Sequence, residues 1–160
     1  IEIMTNFKII FCIFFTFLFI GCGFKVLDQN QLKNYKILEI NENGDKKINF
    51  FVKNRLYTLL NDNNSTNELI IGIDTKKQKS IKEKNKKNQI TKYNIKITSS
   101  IELDFVNKNL KKIININREN SYNVNVNHNI TLNNEKNIEK NLIEKISQDV
   151  SYQILKIINE

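Results

Sequence analysis

The sequence predicts a two-layer α/β (α+β) sandwich, in which a mostly antiparallel four-stranded sheet carries two helices on one face. Three observations predict it: apolar and polar residues alternate strictly over 93–105, and apolar residues recur at helical spacing over 45–60 and again towards the end of the chain. The predicted order of elements is β-α-β-β-β-α. Helices with one apolar stripe and a sheet with one apolar face bury each other when they stack as two layers.

The chain begins with the features of an export signal. Residues 7–22 combine a basic residue, Lys8, with an apolar run, a small residue and Cys22, which is the layout of a secretory signal peptide. Residues 18–22, LFIGC, resemble the lipobox of bacterial lipoproteins, with Phe19 where leucine is usual. In such proteins the cysteine is acylated and becomes the new N-terminus.

These features divide the chain into three expected parts. We expect a lipoprotein signal peptide at 1–21, a lipidated tether at 22–33 and one folded domain at 34–160. The alternative is an uncleaved membrane anchor, but the apolar run at 7–20 is shorter than the ~20 residues that span a bilayer as a helix.

Composition narrows the classes of partner. The formal charge is +8, from 25 Lys and Arg against 17 Asp and Glu, which favours phosphorylated lipid, a membrane surface or nucleic acid. An export signal argues against nucleic acid. Cys12 lies inside the signal and Cys22 is the expected lipid site, so no intramolecular disulfide is expected.

The first half of the predicted domain contains a strand, a helix and a second strand. We expect a strand at 35–40, a turn at 41–44 and a helix at 45–60 with Asp45 as its N-cap. The apolar stripe of this helix comprises Ile48, Phe51, Val52, Leu56, Leu59 and Leu60. A short strand at 69–73 follows, and the lysine-rich stretch 76–89 is predicted to be a mobile hairpin connection.

Two paired strands follow. The alternation over 93–105 passes through the two serines at 99 and 100 without a break, which predicts one long strand with one wet face. After a connection at 107–112, the partner strand is expected at 113–126. By strict alternation Arg118 falls on its apolar face, and we expect a bulge or a local break beside it that turns this arginine outward.

The last element is predicted to be a helix. Asn133 or Asn134 is expected to cap it, and it runs nearly to residue 160. Its apolar stripe comprises Ile138, Leu142, Ile146, Val150, Ile154 and Ile157. The charged residues of this helix, Glu139 among them, are expected on its exposed surface.

The chain resembles the LptE family of lipopolysaccharide-assembly lipoproteins. The residues that carry the likeness are the cysteine-glycine-aromatic start at 22–24, the helix at 45–60, the paired strands entered at Lys92 and the terminal helix ending DVSYQIL at 149–155. The resemblance implies a lipid-anchored outer-membrane protein that faces the periplasm. It also implies that the domain plugs an LptD-like β-barrel, helps that barrel assemble and binds lipopolysaccharide, without catalysis and without a cofactor.

Catalytic and metal chemistry is difficult to assemble from these residues. His128 is the only histidine and no cysteine is spare, so nucleophilic triads depend on one residue in a polar strand end. No spaced cluster of His, Cys or carboxylate residues predicts a metal site, and no glycine-rich phosphate loop is present.

The basic strand residues are the better candidates for a site. Lys92 and Lys96 share the wet strand face, and Arg118 joins them if the expected bulge turns it outward. Their side chains can hold lipopolysaccharide phosphates through charge-assisted hydrogen bonds. A merely solubilising surface is the alternative for these residues. For the whole protein, the alternatives are an accessory lipoprotein of an envelope enzyme or lipid transporter and, last, an exported enzyme.

Overall fold

The fold is known from a computed structural model, which describes residues 29–60 and 65–159. Cys22, the predicted signal peptide and most of the predicted tether lie outside the described residues. The strands are β1 (Tyr35–Gly44), β2 (Asn67–Lys84), β3 (Ile90–Phe105) and β4 (Leu110–Asn123), and the helices are α1 (Lys46–Leu59) and α2 (His128–Ile158). Two short 3-10 helices, Gln29–Asn34 and Val106–Lys108, complete the described elements.

The architecture is the predicted one. The sheet has the order β1-β2-β3-β4, with β1 parallel to β2 and the two following pairs antiparallel. The single parallel pair arises because α1 carries the chain from the end of β1 back to the start of β2. Both helices cover the same face of the sheet, and the order of elements is β-α-β-β-β-α.

The core lies between the helices and the alternating residues of the sheet. On β3 the predicted inward face is confirmed, since Ile95, Ile97, Ile101, Leu103 and Phe105 are all buried. The alternation passes through Ser99, which is buried as well. The most deeply buried members of the two predicted helix stripes are Ile48, Val52, Leu56, Leu60, Leu142, Ile146, Val150 and Ile154, whereas Phe51 is exposed.

The junction between β1 and α1 differs from the predicted turn at 41–44. β1 continues to Gly44, which pairs with Thr75 and has a φ of +90°. The predicted cap is confirmed: the Asp45 carboxylate accepts hydrogen bonds from the backbone N–H groups of Lys47 (3.0 Å) and Ile48 (3.1 Å). The chain therefore turns at Gly44 and Asp45 and enters the helix directly.

The lysine-rich stretch predicted as a mobile connection is mostly strand. β2 extends to Lys84 and pairs with β3 from Leu69 to that residue, so the connection shrinks to residues 85–89. Asn85 organises this turn, because its side-chain oxygen accepts hydrogen bonds from the backbone N–H groups of Lys87 (2.9 Å) and Gln89 (3.0 Å). β1 stops opposite Thr75, so the rest of β2 is an edge strand among the described elements, and lysines on an edge discourage pairing with other chains.

The start of α2 also corrects the sequence analysis. The helix begins at His128 and its cap is Asn127, six residues before Asn133 and seven before Asn134, the two predicted caps. The predicted end of the last strand at 124–126 is not strand. The Asn127 side chain accepts a bond from the Asn129 N–H at 2.9 Å. Thr131 secures the preceding segment by accepting a hydrogen bond from the Asn125 N–H at 2.8 Å. Asparagine is frequent in this chain, and the sequence therefore offered several equivalent caps.

The beginning of the described chain belongs to the fold. Residues 29–33 were predicted as part of a polar tether, but they form most of a 3-10 helix whose Leu32 is only 3% exposed. The burial of Leu32 explains this difference, because one apolar side chain is enough to hold a short segment against the core.

Candidate functional site

The candidate site is the face of the sheet that points away from both helices, here called the outer face. Lys92 and Lys96 lie on it, because they alternate with Ile95 and Ile97, which point into the core. The sequence analysis placed these two lysines on one polar face, and the structure does the same.

The two lysines differ in how they are paired. The Lys92 ammonium group lies 2.7 Å from a carboxylate oxygen of Glu83 on β2. Lys96 is half-buried between its register partners Gln78 and Glu119, and no hydrogen bond or ion pair of its ammonium group occurs among the described residues. Lys96 is therefore the cation of this pair that is ready to accept an anionic ligand.

Two further lysines on the outer face were missed because they fall in the stretch predicted as a connection. Lys76 is paired with Thr98 in register, and the Lys82 ammonium group donates to the Ser121 hydroxyl at 3.2 Å, across β3. A shallow groove of about 380 Å³ adjoins Lys76 on the strands β2 to β4. The period of two does continue from Ile73 into this stretch, but lysines occupy both faces, so hydropathy does not reveal it.

Arg118 does not join the outer face. β3 and β4 pair without a register shift, so the predicted bulge is absent and Arg118 remains opposite Ile97 on the helix-facing side. It reaches α2, where its Nε and Nη2 donate to the two carboxylate oxygens of Asp149 at 2.6 and 2.9 Å. This contact compensates the charge of Arg118 on the apolar face of β4, and it removes Arg118 from the predicted lipopolysaccharide-binding set on the outer face.

Glu139 of α2 neutralises one lysine of α1 and one helix-facing lysine of β2. Glu139, predicted to be exposed, is buried and lies 2.8 Å from the Lys47 ammonium group and 3.2 Å from that of Lys77. Burial alone would raise the pKa of Glu139, but the hydrogen bonds from Lys47 and Lys77 outweigh it and hold that pKa below its ordinary value. Lys47 therefore joins the two helices, and Lys77 joins the sheet to α2.

A second charged contact lies one helical turn earlier. Glu135 accepts a hydrogen bond from Lys79 at 2.6 Å and another from the Tyr122 hydroxyl at 2.7 Å. The Lys79 ammonium group also lies 4.5 Å from the centre of the Tyr93 ring. Burial alone would raise the pKa of Glu135, but the bonds from Lys79 and Tyr122 lower it below its ordinary value.

The remaining sequence-predicted residues contribute little to a site. His128 is exposed in the first turn of α2 rather than at a strand end. Within the described residues, no group of three or more His, Cys, Asp or Glu side chains is arranged to hold a metal ion. No helix in this part of the chain is long and apolar enough to cross a membrane.

Comparison with known proteins gives matches in structure only. No protein-family model matches the chain, and no curated protein matches it in sequence. Rare lipoprotein B from Shewanella oneidensis matches with a TM-score of 0.51 at 12% identity, over 76% of this chain and 93% of that chain. An uncharacterized lipoprotein B from Nitrosomonas europaea matches with a TM-score of 0.57 at 14% identity, over 86% and 94% of the two chains.

A minor lipoprotein from Acinetobacter baumannii matches with a TM-score of 0.50 at 13% identity, over 74% of this chain and 92% of that chain. The chain shares its fold with these lipoproteins. Each match covers more than nine-tenths of the solved chain, so the likeness concerns the whole two-layer domain and not one motif.

Proposed function

We propose that this chain is an outer-membrane lipoprotein of the LptE type, anchored through Cys22 and facing the periplasm. In this proposal it plugs and helps assemble an LptD-like β-barrel and assists the export of lipopolysaccharide. The observation that carries the proposal is the structural match to rare lipoprotein B, a member of the LptE family, over 93% of that chain. The lipobox-like residues 18–22 support it independently.

The anchor supplies the position of the domain. Each buried acyl CH₂ contributes roughly 0.8 kcal/mol, and stable attachment needs more than one acyl chain, which a multiply acylated Cys22 provides. A Cys22→Ala variant is expected to leave the membrane fraction and to lack the added lipid mass, and Cys12→Ala is the matched control inside the signal. Unchanged fractionation and mass of the Cys22 variant would refute lipidation.

The proposed role of the outer face is to hold phosphate groups. Lys96 has no partner among the described residues, so its ammonium group can bind a phosphate without first breaking an ion pair. Lys92 must exchange its 2.7 Å contact with Glu83 for one with the ligand. Lys76 and Lys82 extend the basic surface along the same hairpin. We assign binding and no catalysis to these groups.

Binding of purified lipopolysaccharide to the full chain in detergent tests this role. Lys96→Gln is expected to weaken binding, and raised salt is expected to narrow the difference because it screens exposed charges. Lys145→Gln is the matched control, since Lys145 is an exposed lysine of α2 on the other layer. Equal affinity of Lys96→Gln and the parent chain would contradict a role for the outer face.

A further inference from the structure

One end of the domain exposes apolar and basic side chains together. Around the turn from β3 to β4, Val106, Leu110 and Ile113 are exposed by 42%, 39% and 65%, although each is a large apolar residue. Three exposed lysines, Lys108, Lys111 and Lys112, stand among them. We call these six residues the tip. Scattered exposed apolar residues are ordinary on a protein surface, but three within eight residues, interleaved with cations, are a local concentration.

The tip adjoins the point where the chain enters the fold. Tyr35 directly follows the first 3-10 helix, and its ring meets that of Phe105 edge-on, with centroids 5.7 Å apart. The Lys108 ammonium group donates to the Tyr35 hydroxyl at 3.0 Å. Asn107 in the same turn donates from its side chain to the Thr66 carbonyl at 2.7 Å. These contacts place the tip next to the segment that leads back to Cys22.

The length of chain before Gln29 limits how far the tip can lie from an anchor. Six residues separate Cys22 from Gln29, and a fully extended chain gains at most ~3.6 Å per residue, so the span cannot exceed roughly 25 Å. With lipid on Cys22, the tip therefore remains within reach of the bilayer surface, whereas the hairpin turn at 85–89 lies at the other end of β2 and β3.

We infer that the tip docks on an anionic lipid surface, with its apolar side chains at the boundary of headgroups and acyl chains and its lysines at the lipid phosphates. This inference rests on the proposed anchoring. Apolar residues flanked by lysines are the composition that binds membrane interfaces, and each nearby cation strengthens the attraction to anionic lipid. Anionic headgroups complement the lysines of the tip, and the short tether brings them together.

The three lysines are not equally available for this contact. Lys111 is held by Asp104 at 3.0 Å and Glu102 at 3.7 Å, and Lys108 is held by Tyr35. Lys112 has no ion pair or side-chain hydrogen bond among the described residues. We therefore expect the contact between the tip and anionic lipid to depend more on the charge of Lys112 than on that of Lys108 or Lys111.

Tryptophan fluorescence tests the inference, because the chain contains no tryptophan. In the full chain reconstituted in vesicles of phosphatidylglycerol and brominated phosphatidylcholine, Ile113→Trp is expected to lose emission by contact quenching. Ile81→Trp is the matched control: Ile81 is 50% exposed on β2 and pairs with Tyr93, far from the tip. Its emission is expected to be the same with and without bromine.

Charge reversal tests the electrostatic part. Adding Lys112→Glu to the Ile113→Trp variant is expected to reduce quenching in the anionic vesicles. Adding Lys84→Glu, at the opposite end of β2, to the same variant is expected to leave quenching unchanged.

Flotation of the same vesicles distinguishes failure of the lipid anchor from failure of the contact between the tip and the lipid. If the chain does not float with the lipid, the anchor and the inference both fail. If it floats and Ile113→Trp is unquenched, the anchor stands and the lipid contact is refuted, leaving the tip to a protein partner such as a barrel wall.

Discussion

Arg118 on β4 and Asp149 on α2 form a two-bond ion pair that joins the sheet to the second helix, with N–O distances of 2.6 and 2.9 Å. The arginine stands in the apolar alternation of β4, opposite Ile97, and the carboxylate of α2 compensates its charge. A sequence conflict on one strand is therefore resolved by a residue thirty-one positions later.

This pair should contribute modestly to stability and nothing to ligand binding. Half of the Arg118 side chain is exposed, and exposed ion pairs are screened by solvent and salt. We expect Arg118→Met to lower the denaturation midpoint slightly, with a smaller effect at high salt, and to leave lipopolysaccharide binding unchanged. A double-mutant cycle with Asp149→Asn measures the coupling, and a loss of ligand binding in Arg118→Met would contradict its assignment to the helix-facing side.

The two lysine-paired carboxylates of α2, Glu135 and Glu139, should make the free energy of unfolding depend on pH in the acid range. The pKa values of Glu135 and Glu139 are lower in the folded state than in the unfolded state, so the unfolded chain binds more protons as the pH falls. Their stabilisation is complete above the ordinary glutamate pKa of about 4.3 and is lost as the pH falls through the lowered values. The contribution of Lys79 is also stabilising but has the opposite pH dependence. Burial alone would lower the pKa of Lys79, but the hydrogen bond that it donates to Glu135 outweighs burial and raises that pKa, so this contribution is complete below the ordinary lysine pKa and is lost as the pH rises through the raised value.

Urea denaturation across this pH range measures the effect. Glu139→Gln is expected to lower the free energy of unfolding by about 1–3 kcal/mol near neutral pH, because it removes charged hydrogen bonds to Lys47 and Lys77. The substitution should also make the free energy of unfolding depend less on pH in the acid range. Glu144→Gln, on the exposed side of the same helix, is the control. An equal pH slope in Glu139→Gln and the parent chain would contradict the assignment.

Two buried residues that are paired across β2 and β3 carry hydroxyl groups, and removing these two hydroxyl groups should change the free energy of unfolding in opposite directions. Thr75 and Ser99 are register partners; the Thr75 hydroxyl donates to the Asn49 side-chain oxygen at 2.5 Å, whereas no partner of the Ser99 hydroxyl occurs among the described residues. Ser99→Ala is expected to raise the free energy of unfolding by up to about 1 kcal/mol, and Thr75→Val to lower it by about 1–2 kcal/mol. Equilibrium denaturation of both variants checks this, and destabilisation by Ser99→Ala would show that its hydroxyl is satisfied.

The two described glycines of the sheet should also behave differently. A Cβ at Gly44 would lie 1.9 Å from the Thr75 carbonyl oxygen, and its φ of +90° is unfavourable for any side chain. Gly44→Ala is therefore expected to lower the free energy of unfolding by about 1–3 kcal/mol through backbone strain, and the steric clash adds to this loss. At Gly72 a Cβ would meet the Cβ of Glu102 at 3.4 Å, an ordinary contact, so Gly72→Ala should be tolerated. Thermal unfolding of the two variants distinguishes them, and equal melting temperatures would contradict this account of the junction.

The sequence predicted those parts of the fold in which buried apolar residues recur with a regular period. The alternation on β3 and the stripes of α1 and α2 follow directly from burial against one opposing layer, and they were predicted correctly except for Phe51, which is exposed. It failed where lysines occupy strand positions, as on β2 beyond Thr75, because the hydrogen bonds that hold an edge strand leave no hydropathy period. It also failed at the start of α2, where several asparagines could cap the helix and the local hydrogen bonds between Thr131 and Asn125 favour the start at His128.

The candidate site was only partly predictable for the same reason. Lys92 and Lys96 follow from the β3 alternation, whereas Lys76 and Lys82 depend on strand pairing, which the sequence does not reveal. The inward orientation of Arg118 and the burial of Glu139 depend on partners far along the chain. The ligand-binding roles of the outer-face lysines stay predictions.

The central claim is that this domain is the lipoprotein partner of a β-barrel. The most direct measurement is affinity purification of the full chain with a C-terminal tag from detergent-solubilised membranes, followed by mass spectrometry of the proteins bound to it. We expect one large LptD-like β-barrel in stoichiometric amount, and we expect it to be lost when Cys22→Ala releases the chain from the membrane. Recovery of a cell-wall enzyme or an inner-membrane transporter in its place, with no barrel, would contradict the account and make the chain an accessory lipoprotein.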